Sequence, residues 1–155
     1  MNLDVAFELL AMTDDPLYRR EILRLAADAR GAGSLPAPDA SATAHNPACG
    51  DKVTVELALE AGRITALAHT SRACVLTQAS AALLATKAPG QSQADLRALA
   101  DRVRAFLAGA AAPDGYQAFD GVAGHAGRHV CVLLPFEAAL EALEGAEIGA
   151  ERAQD

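Results

Sequence analysis

Cys49, Cys74 and Cys131 are the side chains best suited to hold a metal or to act as nucleophiles. They are odd in number and far apart in sequence, which argues against a disulfide framework. Each stands at a junction. Cys49 lies in Asn46-Pro47-Ala48-Cys49-Gly50-Asp51, a turn just before a hairpin. Pro47 stiffens the approach, and Gly50 permits a backbone conformation closed to bulkier residues. Cys74 stands where a strand hands over to a helix, and the positive helix end lowers the pKa of a thiol there. Cys131 stands where a loop enters the last helix. Three such thiols can converge on one rim of a sheet, and Asp51 adds an oxygen donor. Three sulfurs and one oxygen form a tetrahedral set for zinc or for one edge of an iron–sulfur cluster. Without a paired CxxC motif, the spacing alone fits three buried structural cysteines as well.

The surrounding elements must position these groups. Residues 17–29 read as a helix, capped by Asp14 or Asp15, with Pro16 in its first turn and Gly31 beyond its end. Residues 31–41 are rich in Gly, Pro, Ala and Ser and read as a loop. Val53, Val55, Leu57 and Leu59 alternate with Thr54, Glu56, Ala58 and Glu60, the period of a strand over residues 53–60. Ala61-Gly62 turns the chain, and residues 63–70 return as a second strand. Residues 42–46 are expected as a third. Residues 75–86 are Ala- and Leu-rich and helical. Ser92-Gln93-Ala94-Asp95 resembles a capping box that opens a helix with Leu96, Leu99, Val103, Phe106 and Leu107 on one face. Residues 110–115 form a loop. A last helix is expected over residues 132–144, stopped by Gly145, with a frayed tail at 150–155. The sum is an α+β domain, residues 1–155, with a small antiparallel sheet of about three strands packed against helices.

Composition removes several function classes. The chain has 155 residues and a net charge of −7, which argues against binding a phosphate backbone. Hydrophobic residues make up 52%, enough for a core, yet aromatics are only 4%. Ala, Leu and Val must therefore build that core. No apolar run reaches the roughly 18 residues of a membrane span. Met1-Asn2-Leu3-Asp4 lacks the basic start of a signal peptide, so a cytoplasmic location is expected.

The local words go further. Asn46-Pro47-Ala48-Cys49-Gly50-Asp51 resembles the Asn-Pro-x-Cys-Gly-Asp signature of the U-type iron–sulfur assembly proteins, the IscU, SufU and NifU N-terminal family. Cys74 followed by Ala79-Ser80 resembles that family's second motif, and Arg128-x-x-Cys131-x-x-Leu134 its third. Leu17-Tyr18-Arg19-x-x-Ile22 is similar to its first helix. The likeness runs from about residue 17 to 143. The long Cys74–Cys131 segment and the lack of a Leu-Pro-Pro-Val-Lys segment look like the SufU branch. Two positions depart from the pattern. Val130 stands where IscU-type proteins carry His and SufU-type proteins usually carry Lys. Ala73 replaces the Gly before the second Cys, which would be strained if that position needs positive φ.

The resemblance implies the family's α+β sandwich and two related jobs. As a scaffold, the protein would assemble a [2Fe–2S] cluster on Cys49, Asp51, Cys74 and Cys131. As a SufU-like protein, it would hold zinc at the same residues and accept sulfane sulfur from a cysteine desulfurase. The work would then be that of a zinc-dependent sulfurtransferase or of a non-enzymatic scaffold, with recipient apoproteins as further partners. The resemblance implies Cys131 as the sulfur acceptor, and Arg128 as a guanidinium that steadies a thiolate or a partner's carboxylate. Tyr18-Arg19-Arg20 is either part of a docking surface for the desulfurase or the polar face of an amphipathic helix.

His125 and His129 precede Cys131 in a Gly-rich loop and are candidate replacement ligands, with exposed loop histidines as the plainer reading. His45 and His69 are expected on the polar surface. Two other functions stay open. A structural zinc-binding interaction module would have a closed, inert site. A zinc hydrolase would need an open position and a general base, and no His-Glu-x-x-His motif supplies one.

Overall fold

The alternation that begins at Val53 becomes the middle strand of a three-stranded antiparallel sheet. In the computed structural model, which describes residues 19–154, the strands are β1 (Ala40–Asn46), β2 (Asp51–Glu60) and β3 (Arg63–Arg72). They lie in the order β1-β2-β3. Val53, Val55 and Leu57 share one face of β2 and are fully buried. Their cross-strand neighbours include Ala44 opposite Val53 and Leu67 opposite Leu57. Ala61 and Gly62 join β2 to β3 with φ of 53° and 76°. Two successive left-handed residues are what a tight type I′ hairpin needs.

Helices cover the buried face. Chain order is α1 (Arg20–Asp28), the sheet, α2 (Val75–Lys87), α3 (Gln93–Leu107), 3-10 turns at Tyr116–Val122 and Ala126–Arg128, then α4 (His129–Gln154). Helix α4 crosses β1 and β2 and packs on α2 and α3, while α1 packs on α2. The α+β class and three-stranded sheet are those expected. Helix α2 is buried on almost every side, with Leu76, Ala79, Ala82 and Leu84 at 2% exposure or less. Its alanines let two helices approach closely where bulkier residues would hold them apart. The Ser80 hydroxyl donates to the Val132 carbonyl at 2.5 Å and ties α2 to the first turns of α4. Tyr116 fills the remaining space, its ring 6.1 Å from Phe119 and 6.0 Å from Phe136.

The expected capping box is present. Ser92 Oγ accepts the Asp95 N–H at 3.1 Å, and Asp95 Oδ2 accepts the Ser92 N–H at 3.1 Å. Other boundaries differ. Helix α1 starts at Arg20, and its proposed caps Asp14, Asp15 and Pro16 lie outside the described residues. It ends at Ala29, which takes the left-handed φ of 49° that was expected of a later glycine. Helix α4 starts three residues early and runs through Gly145 to Gln154. One glycine costs a helix about 1 kcal/mol, too little to stop a helix whose preceding turns are anchored by buried Ala138, Ala139, Ala142 and Leu143. No helix among the described residues is long and apolar enough to cross a membrane.

Gly31 has a different duty from the one expected. Its φ is +80°, and a Cβ there would meet the Ala85 Cβ at 2.6 Å and the Leu67 carbonyl oxygen at 3.0 Å. The backbone is pressed against α2 and β3, so only glycine fits. Gly31→Ala should lower the unfolding free energy by about 2–4 kcal/mol. The reading is a lower urea midpoint at unchanged slope. An unchanged midpoint would mean that this close approach does not exist.

Candidate metal centre

The turn that carries Cys49 is held by the residue before it. Asn46 ends β1 and is buried to 9% exposure. Its Oδ1 accepts the Ala48 N–H at 3.2 Å, and its carbonyl accepts the Gly50 N–H at 2.8 Å. Its Nδ2 donates to Cys49 Sγ at 3.1 Å. One side chain thus closes the turn and aims the sulfur. Gly50 takes the positive φ, 76°, that reverses the chain into β2.

Asp51 begins β2 two residues before the start that the alternation marks at Val53. It lies in phase with Val53 and Val55, so its carboxylate points to the buried face and is only 6% exposed. Oδ1 accepts the Cys74 backbone N–H at 3.2 Å, and Oδ2 accepts the Thr77 hydroxyl at 2.9 Å. Burial works against the charged form. Hydrogen bonds from Thr77, Cys74 and Cys49 outweigh it and hold the carboxyl below its ordinary range.

Cys74 is the N-cap of α2, and its own side chain makes no capping bond. Its Sγ lies 3.5 Å from Thr77 Oγ1. The hydrogen bond with Cys131 is the largest influence on it, and together with Thr77 it lowers the thiol to about 6 against burial and the hydrogen bond to Asp51. Cys131 shifts the other way, pushed up by its bond to Cys74, by burial and by the nearby Cys74 charge, while Arg128 works in the opposite sense. The two thiols lie within hydrogen-bonding reach of each other and titrate as a coupled pair.

Cys49, Asp51 and Cys131 come together, their ligand atoms all within 4.8 Å of one another. Cys74 is not in that trio but hydrogen-bonds its members Asp51 and Cys131. The four residues come from the β1–β2 turn, the start of β2, the start of α2 and the first turn of α4. Arg128 hydrogen-bonds Cys131 from the preceding 3-10 turn. Neither candidate histidine joins the group. His129 Nε2 is 2.9 Å from the Ala123 carbonyl oxygen, and His125 is exposed. His45 is exposed as expected, whereas His69 is not. It sits opposite Val55 on the core face, 4% exposed, with Nε2 2.8 Å from the Arg30 carbonyl oxygen. That register puts it inside. Ala73 is not among the positive-φ residues, so the backbone there accepts alanine without strain.

The grouping includes a residue that sequence reasoning passed over. Thr77 is fully buried beside Asp51 and Cys74, yet in the sequence it reads as one more small residue of an Ala-rich helix. Its one signal is its place three residues after Cys74, one turn along the helix, in the N3 position.

A sequence model of the NifU-like N-terminal domain matches residues 17–114. Among solved structures, the chain is similar to a nitrogen-fixing NifU-like protein (N-terminal) from Brucella abortus. That match has 34% identity and a TM-score of 0.80 over 87% of this chain and 97% of that one. It also shares its fold with a protein from Fervidobacterium islandicum AW-1 assigned as an iron–sulfur cluster assembly scaffold for the SUF system. There the identity is 19% and the TM-score 0.74, over 82% of this chain and 96% of that one. No curated protein matches the sequence.

The three thiols differ sharply in access. Cys49 is exposed, Cys74 is half-buried and Cys131 is 1% exposed. A bulky maleimide added to the native, metal-free protein should therefore modify Cys49 first. Cys131 should stay unmodified until denaturant is added, as peptide mass mapping over time will show. Early modification of Cys131 would contradict its burial.

Proposed function

The chain belongs to the NifU-like N-terminal domain family, and from that premise we propose that it is an iron–sulfur cluster assembly scaffold of the U type. Cys49, Asp51, Cys74 and Cys131 are its metal- and cluster-holding residues. The observation that carries this reading is the approach of Cys49, Asp51 and Cys131 within 4.8 Å, with Cys74 against two of them. In a tetrahedral site with metal–sulfur bonds of about 2.3 Å, donor atoms lie about 3.5–4 Å apart. The trio needs only a small contraction to reach that spacing. Thiolates suit zinc and iron, and the carboxylate is the harder donor of the four.

Sulfur transfer fits the same residues. A thiolate of the chain attacks the outer sulfur of a persulfide on a cysteine desulfurase. The donor's S–S bond breaks, the donor leaves as a thiolate, and the new persulfide stays on the chain. The family resemblance points to Cys131 as acceptor, with Arg128 beside it to steady the charge. Cys131 is 1% exposed, so acceptance there requires a local opening of the site. The long segment between Cys74 and Cys131 supports a SufU-like assignment. Zinc is then the resident ion, and the recipients are apoproteins.

The exposure of Cys49 speaks against a closed structural zinc module. Among the described residues the group holds no histidine and no second carboxylate, so none of its members offers a hydrolase a general base beside the proposed ligands.

Elemental analysis of anaerobically purified protein should find about one zinc or about two irons per chain. Cys49→Ala, Cys74→Ala and Cys131→Ala should each abolish tight metal binding, because a four-ligand site does not survive the loss of one thiolate. Full metal content in all three variants would sink the assignment.

A further inference from the structure

Thr77 touches two of the four proposed ligands at once. Its hydroxyl gives Asp51 Oδ2 a hydrogen bond of 2.9 Å and lies 3.5 Å from Cys74 Sγ. It is fully buried, so no water competes for that hydroxyl. On the other oxygen, Asp51 accepts the Cys74 backbone N–H at 3.2 Å. The carboxylate is therefore held at both ends by the first turn of α2. A carboxylate free to turn can grip one ion with both oxygens. Here such a turn has to break the Thr77 bond inside the protein, where a lost partner is costly.

Resting on the scaffold reading above, we infer that Thr77 is a positioning residue that restricts Asp51 to one donor oxygen and so keeps it the weak member of the ligand set. The bond acts in two ways. It fixes the orientation of the carboxylate before any ion arrives. It also draws electron density toward a proton, and a charge-assisted acceptor has less to offer a metal. A scaffold that must give up what it holds needs one ligand that lets go easily. Asp51 is the only oxygen ligand of the four, and Thr77 is the side chain that holds it to that role.

The test uses cobalt(II) as the probe on the full chain. Thr77→Val keeps the shape and removes the hydroxyl, while Thr77→Ser keeps the hydroxyl and trims a methyl. Release to excess EDTA from Thr77→Val should be about tenfold slower than from the wild type. Its visible d–d absorption should weaken as five-coordination replaces four. Thr77→Ser should match the wild type in both readings. Unchanged release and spectra in Thr77→Val would overturn the role of Thr77 and leave the four-ligand site standing. Equal changes in both variants, or faster release from Thr77→Val, would show a packing residue only and overturn it too. A wild-type chain that takes up no cobalt would overturn the scaffold reading itself, and this inference with it.

Discussion

Asp51 is a buried carboxylate with both oxygens hydrogen-bonded to the first turn of one helix, and the placement of the other candidate ligands follows from that constraint. Burying a charge without partners costs several kcal/mol. The partners here are the Cys74 N–H and the Thr77 hydroxyl, both at the positive end of α2, where a negative charge is favoured. Because the N-cap side chain of α2 makes no cap bond, Asp51 caps the helix from a distant strand. The start of α2 is thereby fixed against the start of β2. Cys74 is set beside Asp51 by the same two bonds.

The constraint then passes on. Ser80, two turns into α2, donates to the Val132 carbonyl, so a helix already placed against the sheet places α4 in turn. Cys131 precedes Val132 and arrives at Asp51 by that route. Pro135 lacks the N–H that would bond the Cys131 carbonyl, which loosens the ladder of α4 beside the site. The depressed carboxyl also has a consequence for stability. Its contribution is fully present above the ordinary aspartate value of about 3.9 and is lost as pH falls through the lowered value. Acid therefore loosens the joint between β2 and α2 that carries the site.

Much of this was legible in the residues because the signals were local. The alternation of Val53, Val55 and Leu57 marks a strand with one buried face, and it settles the inward direction of Asp51 once β2 is extended by two residues. The pair Ala61-Gly62 marks the hairpin, and Ser92 with Asp95 marks a helix start. The three cysteine words mark the family. What stayed hidden depends on distant neighbours. His69 is inside because its register faces Val55, and no feature of residues 63–72 states that register. Gly145 looks like a stop because local propensity is blind to the packing that holds the preceding turns of α4. Thr77 is inconspicuous because its partner lies 26 residues away on another element.

Access completes the physical picture. The four candidate ligands form a gradient, from an exposed Cys49 on a turn to a Cys131 held in the first turn of a buried helix. The turn at Cys49 is held by Asn46 and reverses at Gly50, and a few hydrogen bonds of a four-residue turn cost little to rearrange. Cys131 moves only if α4 moves, and α4 is pinned through Ser80 and packed across β1 and β2. A site built this way opens from one side. Any ion that reaches the group therefore approaches along the rim where the β1–β2 turn, with its exposed Cys49, meets solvent.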